Sequence, residues 1–219
     1  MGFMNNTTIS KELIFFVSLI AIVAVHKMVI TEKQPPIYQP ADLNPELVDG
    51  SMQQLKENHR VSNFSLINQL GERITHQDYE GKIYVTDFFF TRCPSICPIM
   101  TSNMAKLQER FMDVEAVRLL SISVTPEMDS VPVLQNYAER HGAVASKWNI
   151  ATGDKKHIYT LARKSYFAVM EEGDGALQDF IHTPNFVLVD SEKQIRGIYD
   201  GTKEVEIRRL IKDIELLLD

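Results

Sequence analysis

The chain has 219 residues, 44% of them hydrophobic, and carries a formal net charge of -6. That length and apolar content support one full hydrophobic core, and the acidic balance argues against a nucleic-acid partner, which would require clustered Lys and Arg. Two cysteines in all exclude the disulfide-dense scaffold of small secreted domains and leave a single redox or metal-binding pair.

Residues 1–12 form a short polar tail. Residues 13–30 are an apolar run from Leu13 through Val25, continued by His26, Lys27, Met28, Val29 and Ile30. The run reaches the length of a membrane span if His26 and Lys27 snorkel to the interface. A transmembrane anchor is predicted in preference to a signal peptide, because neither a small-x-small cleavage site nor a lipidatable cysteine follows. Lys11 precedes the run while Lys27 and Lys33 follow it, so charge does not set the orientation. Residues 31–60, punctuated by Pro35, Pro36, Pro40 and Pro45, read as a semi-extended linker.

The folded domain is predicted over residues 61–219. Residues 61–67, the Gly71 turn and residues 73–75 suggest a small hairpin. Residues 83–90 are nearly all β-branched or aromatic, the pattern of a strand covered on both faces, as in a parallel sheet. A helix over about 98–111 follows. Residues 117–124 form another apolar strand, and residues 131–141 a helix stopped by Gly142. A short strand spans 148–152, and a helix runs from Gly153 and Asp154 to about Phe167, with Asp154 as its N-cap. Residues 185–190 and 194–199 form a second hairpin, and an amphipathic helix over 205–218 closes the chain. Strands alternating with helices, then a hairpin and a last helix, define an α/β thioredoxin-like sandwich with a central mixed sheet.

Both cysteines lie in the stretch Asp87-Phe88-Phe89-Phe90-Thr91-Arg92-Cys93-Pro94-Ser95-Ile96-Cys97-Pro98. Pro98 suits the first helical turn, where its missing N–H has no partner to lose. The thiols are therefore expected at a helix N-terminus, where the dipole and free N–H groups should make at least one of them unusually acidic. Two converging thiolates can close a disulfide or clamp a soft metal such as Cu(I). Buried apolar cysteines are the bland alternative, which leaves their confinement to one proline-flanked turn unexplained. Asp87 interrupts the buried strand six positions before Cys93, where an ionised carboxylate is costly unless partnered or protonated. Its alternatives are a proton-handling group and a satisfied structural carboxylate.

Thr91, Cys93, Pro94, Cys97 and Pro98 resemble the T-x-C-P-x-x-C-P motif of the SCO/SenC family, thioredoxin-fold proteins that deliver copper to cytochrome c oxidase. The resemblance extends over residues 61–219. It implies a copper site, Cu(I) or Cu(II), made by Cys93, Cys97 and a distant histidine, which His182 in Phe180-Ile181-His182-Thr183-Pro184 matches. In thioredoxin-like folds the Thr-Pro at this place is a cis proline facing the cysteines, and the resemblance would set His182 beside them. It further implies partners: the copper-bearing oxidase subunit, other copper chaperones or thiol reductants, and a membrane through the N-terminal helix. It also places the domain on the periplasmic or extracytoplasmic side. Thioredoxins carry an aspartate at the offset of Asp87 that assists proton transfer. One departure stands out: where many members have an aspartate in S-[IV]-D-P, this chain has Thr125, with Asp129 matching the aspartate that usually follows. His26, His59, His76, His141 and His157 have no such context and are read as surface residues.

The expected activity is that of a metallochaperone rather than an enzyme. The alternative is a thiol-disulfide oxidoreductase acting on partner cysteines. A thiol peroxidase is disfavoured, since Thr86 and Phe90 stand where that chemistry places Pro and Thr.

Overall fold

In the computed structural model, the described residues are 15–20, 33–43, 45, 48, 53, 54, 56, 59–168, 181 and 183–219. The chain divides into two units, Met1–Gln34 and Pro35–Asp219. In the first, residues 15–20 are helical, and most of the predicted anchor lies outside the described residues. Among the described residues no helix is long and apolar enough to cross a membrane.

The second unit is a seven-stranded mixed sheet. Its strands are β1 (Ser65–Asn68), β2 (Arg73–Thr75), β3 (Ile83–Phe89), β4 (Val117–Ser123), β5 (Trp148–Thr152), β6 (Asn185–Val189) and β7 (Ile195–Asp200), in the order β2-β1-β5-β4-β3-β6-β7. β3, β4 and β5 are parallel, joined through helices α1 (Cys97–Arg110) and α2 (Val131–His141). β6 pairs antiparallel with β3 and β1 with β5, so two antiparallel hairpins flank the parallel centre. β3 is therefore parallel to only one neighbour, although all seven of its residues are buried, as its composition requires.

Alternation along β3 sorts its side chains into two layers. Tyr84 and Phe88 join Leu120, Ile122, Tyr159 and Tyr166 in one. Ile83, Val85 and Phe89 join Met100, Met104 and Leu107 of α1 and Ile207, Leu210 and Ile214 of α4 (Glu204–Leu218) in the other. The α1 and α4 residues recur at helical spacing, which lays one stripe of each helix on the sheet. Asp87 has the parity of Val85 and Phe89, so period two alone puts its carboxyl on the side that holds both cysteines.

Local signals account for most boundaries. Gly142 ends α2 at φ 66°, with Ala143 N–H donating to the Ala138 carbonyl, a turn that favours a residue without Cβ. Asp154 caps α3 (Lys155–Thr160) by accepting the His157 N–H at 2.7 Å. The predicted helix to Phe167 is shorter than expected: α3 widens into a π-turn over Leu161–Ser165, and Phe167 takes φ 49°. The wider turn lets Tyr166, Phe167 and Ala168 all bury in the first layer.

The predicted linker also differs. From Pro35 onward its described part belongs to the second unit and packs there: Tyr38 N–H donates to the Ile195 carbonyl at 2.8 Å, and Val48 is buried in the core. Arg196, in an ion pair with Asp190 at 2.9 Å, donates from Nε to the Pro35 carbonyl at 3.0 Å. Prolines remove backbone donors, so this segment can extend the edge at β7 by one bridge without becoming a strand.

Candidate metal centre

β3 delivers its chain directly to the cysteine turn. Cys97 is the first residue of α1, and Pro98 is its second, so helix entry falls where the prolines predict. Cys93 lies one turn earlier, its N–H donating to the Phe90 carbonyl at 3.3 Å. The Cys97 amide N–H points at Cys93 Sγ, 3.4 Å away, and Ser95 Oγ lies 3.7 Å from the same sulfur. No disulfide joins the pair, and both cysteines are buried.

Burial has opposite consequences from those expected of a helix N-terminus at Cys97. Desolvation pushes its thiol well above the ordinary range, reinforced by the neighbouring Cys93 and opposed by a hydrogen bond with the Phe90 backbone. Cys97 is therefore not the acidic member expected of the pair, because the lost hydration of a thiolate outweighs the dipole there.

Asp87 is 2% exposed. Ser121 Oγ donates to its Oδ1 at 2.5 Å and itself accepts from Trp148 Nε1 at 2.9 Å. Burial raises the carboxyl to about 7, with the Ser121 hydrogen bond pulling the other way. The same charge field reaches Cys97 and Tyr137, whose groups are both pushed up chiefly by burial. Asp87 is therefore both partnered and able to change protonation near neutral pH.

His182 lies outside the described residues. Its neighbours are described: Ile181 and Thr183 are buried, and Thr183 Oγ1 donates to the Ala168 carbonyl at 2.6 Å. The Thr183–Pro184 bond is not cis, contrary to the thioredoxin-like expectation. Among the described residues no group of three His, Cys, Asp or Glu could hold a metal ion. His59 departs from the surface reading: it is buried, its Nε2 lies 2.8 Å from the Ser165 carbonyl, and its ring packs 4.6 Å from Phe167. His26 lies outside the described residues.

One group at the site was marked in the sequence only by the family resemblance, with no role attached. Asp129 is fully buried beneath the cysteine turn, accepting Thr91 Oγ1 at 2.6 Å, Thr91 N at 3.1 Å, Ser123 Oγ at 2.6 Å and Thr125 Oγ1 at 3.0 Å. Its match to the family's aspartate had marked the position; its grip on Thr91, Ser123 and Thr125 belongs to the fold.

A mixed sheet whose central strand runs into a dithiol at the mouth of a helix defines a thioredoxin-like domain built to present two sulfurs together. The chain belongs to the SCO1/SenC family, whose model matches residues 52–219. It is 31% identical over 167 residues to the SCO1 protein homolog of Bacillus subtilis, covering 74% of this chain and 86% of that one. The structure of BsSco, a member of the Sco family of cytochrome c oxidase assembly proteins in which a disulfide switch was identified, is 31% identical. It superposes with a TM-score of 0.62, covering 75% of this chain and 98% of that one. Arabidopsis thaliana ScoI with copper bound shares the fold at 23% identity and a TM-score of 0.54, over 71% of this chain and 98% of that one.

Proposed function

We propose that this protein binds copper through Cys93, Cys97 and His182 and passes it to the copper-bearing subunit of a cytochrome c oxidase. Residues 13–30 hold the domain at a membrane, on its extracytoplasmic face. The observation that carries this reading is the paired presentation of Cys93 and Cys97, one amide hydrogen bond apart at the start of α1. The donor chemistry fits the cargo: two buried, polarisable sulfurs suit soft monovalent copper, and a neutral imidazole completes a three-coordinate set. Membership of the family and the copper-bound relative of the same fold support it.

The chain's own groups give the exchange a proton requirement. Copper supplies a positive charge that stabilises two thiolates, so loading displaces the proton that burial holds on Cys97. Asp87, a carboxyl titrating near neutrality on the same layer, takes up or releases a proton as the charge on the sulfurs changes. Among the described residues no third His, Cys, Asp or Glu joins the two thiols to complete a metal-holding group, and His182 is the third ligand the sequence nominates.

The dithiol also supports a second reading, reduction of a partner's disulfide, in which Cys93 attacks and Cys97 resolves. Anaerobic copper titration of the reduced full chain separates the two. The parent should bind one copper tightly, Cys93→Ser should lose the tight site, and His182→Ala should weaken it about tenfold or more. If His182→Ala binds as well as the parent while reduction of a partner disulfide stays fast, the oxidoreductase reading replaces copper delivery.

A further inference from the structure

Among the described residues, every partner of the Asp129 carboxylate is a hydroxyl or a backbone amide: Thr91, Ser123 and Thr125. A fully buried carboxylate with four donors is stabilised by charge-assisted hydrogen bonds in place of a cation. The donors come from two places that are far apart in the chain. Thr91 belongs to the turn that carries Cys93, whereas Ser123 ends β4 and Thr125 follows it. A further backbone tie joins the same two strand ends, Val124 N–H donating to the Phe89 carbonyl at 2.9 Å.

We propose that Asp129 is the positioning residue of the dithiol. By gripping both the N–H and the hydroxyl of Thr91, it fixes the turn two residues before Cys93 against the end of β4. That sets where the Cys93 sulfur lies relative to Cys97, and hence how readily the pair closes. This rests on the reading of Cys93 and Cys97 as a working dithiol. The grip is two-pronged: Oδ1 takes the Thr91 hydroxyl and Oδ2 takes its amide, so the turn can neither rotate nor slide along β4 without losing a hydrogen bond. Ser123 and Thr125 both bond Oδ2, which fixes the orientation of the carboxylate itself.

Closure with a small disulfide such as oxidised glutathione reads this directly. The Cys93 thiolate attacks one glutathione sulfur and expels the first glutathione thiolate. Cys97 then gives up its proton to solvent, attacks Cys93 Sγ, forms the intramolecular disulfide and expels the second glutathione, so two thiols are oxidised as one disulfide is reduced. The equilibrium constant of this exchange is measured for the full chain and for Thr91→Val, Thr91→Ser, Asp129→Asn and the Thr91→Val/Asp129→Asn double variant. Reduced and oxidised forms are separated by thiol alkylation.

Thr91→Val and Asp129→Asn should each shift the constant about tenfold and in the same direction, the scale of one charge-assisted hydrogen bond. The double variant should match either single one, and Thr91→Ser, which keeps the hydroxyl, should stay within about twofold of the parent. Thr91 is only partly buried, so its variants change no fully buried side chain and decide the matter even if Asp129→Asn does not fold. A folded Thr91→Val with the parent's constant, or shifts that multiply in the double variant, would overturn the proposal. Failure of the parent to exchange at all would instead remove the dithiol reading beneath it, and copper titration tests that reading independently.

Discussion

Replacing Asp87 by Asn removes one ionisable group from the middle of the sheet and changes little else in shape. In the fold the carboxyl titrates at about 7, against an ordinary value of 3.8, because burial disfavours its charge. A raised carboxyl contributes no penalty below about pH 4, where it is protonated both folded and unfolded. As pH rises the unfolded chain ionises first, and the folded state loses relative stability until its own group ionises near pH 7; above that the loss is constant. The difference between 3.8 and about 7 corresponds to about 4 kcal/mol. Cys97 and Tyr137, the titratable neighbours in its field, are both pushed upward and stay protonated through this window. Asp87→Asn should therefore gain stability relative to the parent between pH 4 and 8, by an amount approaching about 4 kcal/mol at the upper end. Denaturant unfolding of the reduced proteins at each pH measures the difference, and Trp148, the single tryptophan, reports it, since its indole joins the Ser121–Asp87 chain. A parent-minus-variant difference that stays flat from pH 4 to 8 would refute the assignment of a titrating Asp87.

Two further expectations follow from packing and burial. In a Cys93→Ser background, Cys97 should react with iodoacetamide at pH 8 at least about tenfold more slowly than a free cysteine peptide, because burial suppresses its thiolate; a rate equal to the peptide's would contradict the burial argument. Arg196→Ala should cost about 3 kcal/mol in denaturant unfolding by leaving the Asp190 carboxylate buried without its cation. It should also speed proteolysis near residues 35–43, since the Pro35 carbonyl loses its grip. An unchanged midpoint and an unchanged cleavage pattern would show that the segment is held by something else.

The sequence by itself determined what short-range chemistry controls. The run from Ile83 to Phe89 had to be a covered strand, Pro98 had to open a helix, Gly142 had to end one, and the spacing of Cys93 and Cys97 had to bring two sulfurs to one turn. Period two groups Asp87 with Val85 and Phe89, and the fold shows that this layer holds the cysteines. Only the tertiary structure decided the quantities that depend on what lies across space. Burial by α1 and the sheet decided which thiol is not the acidic one, Cys97, since local dipole and global desolvation oppose each other and no motif reveals which is larger. Docking of the proline segment on β7 turned a predicted tether into part of the fold. The grip of Asp129 on Thr91 joins residues 38 positions apart, and a sequence read by local pattern gives no weight to a contact made only when two strands end side by side.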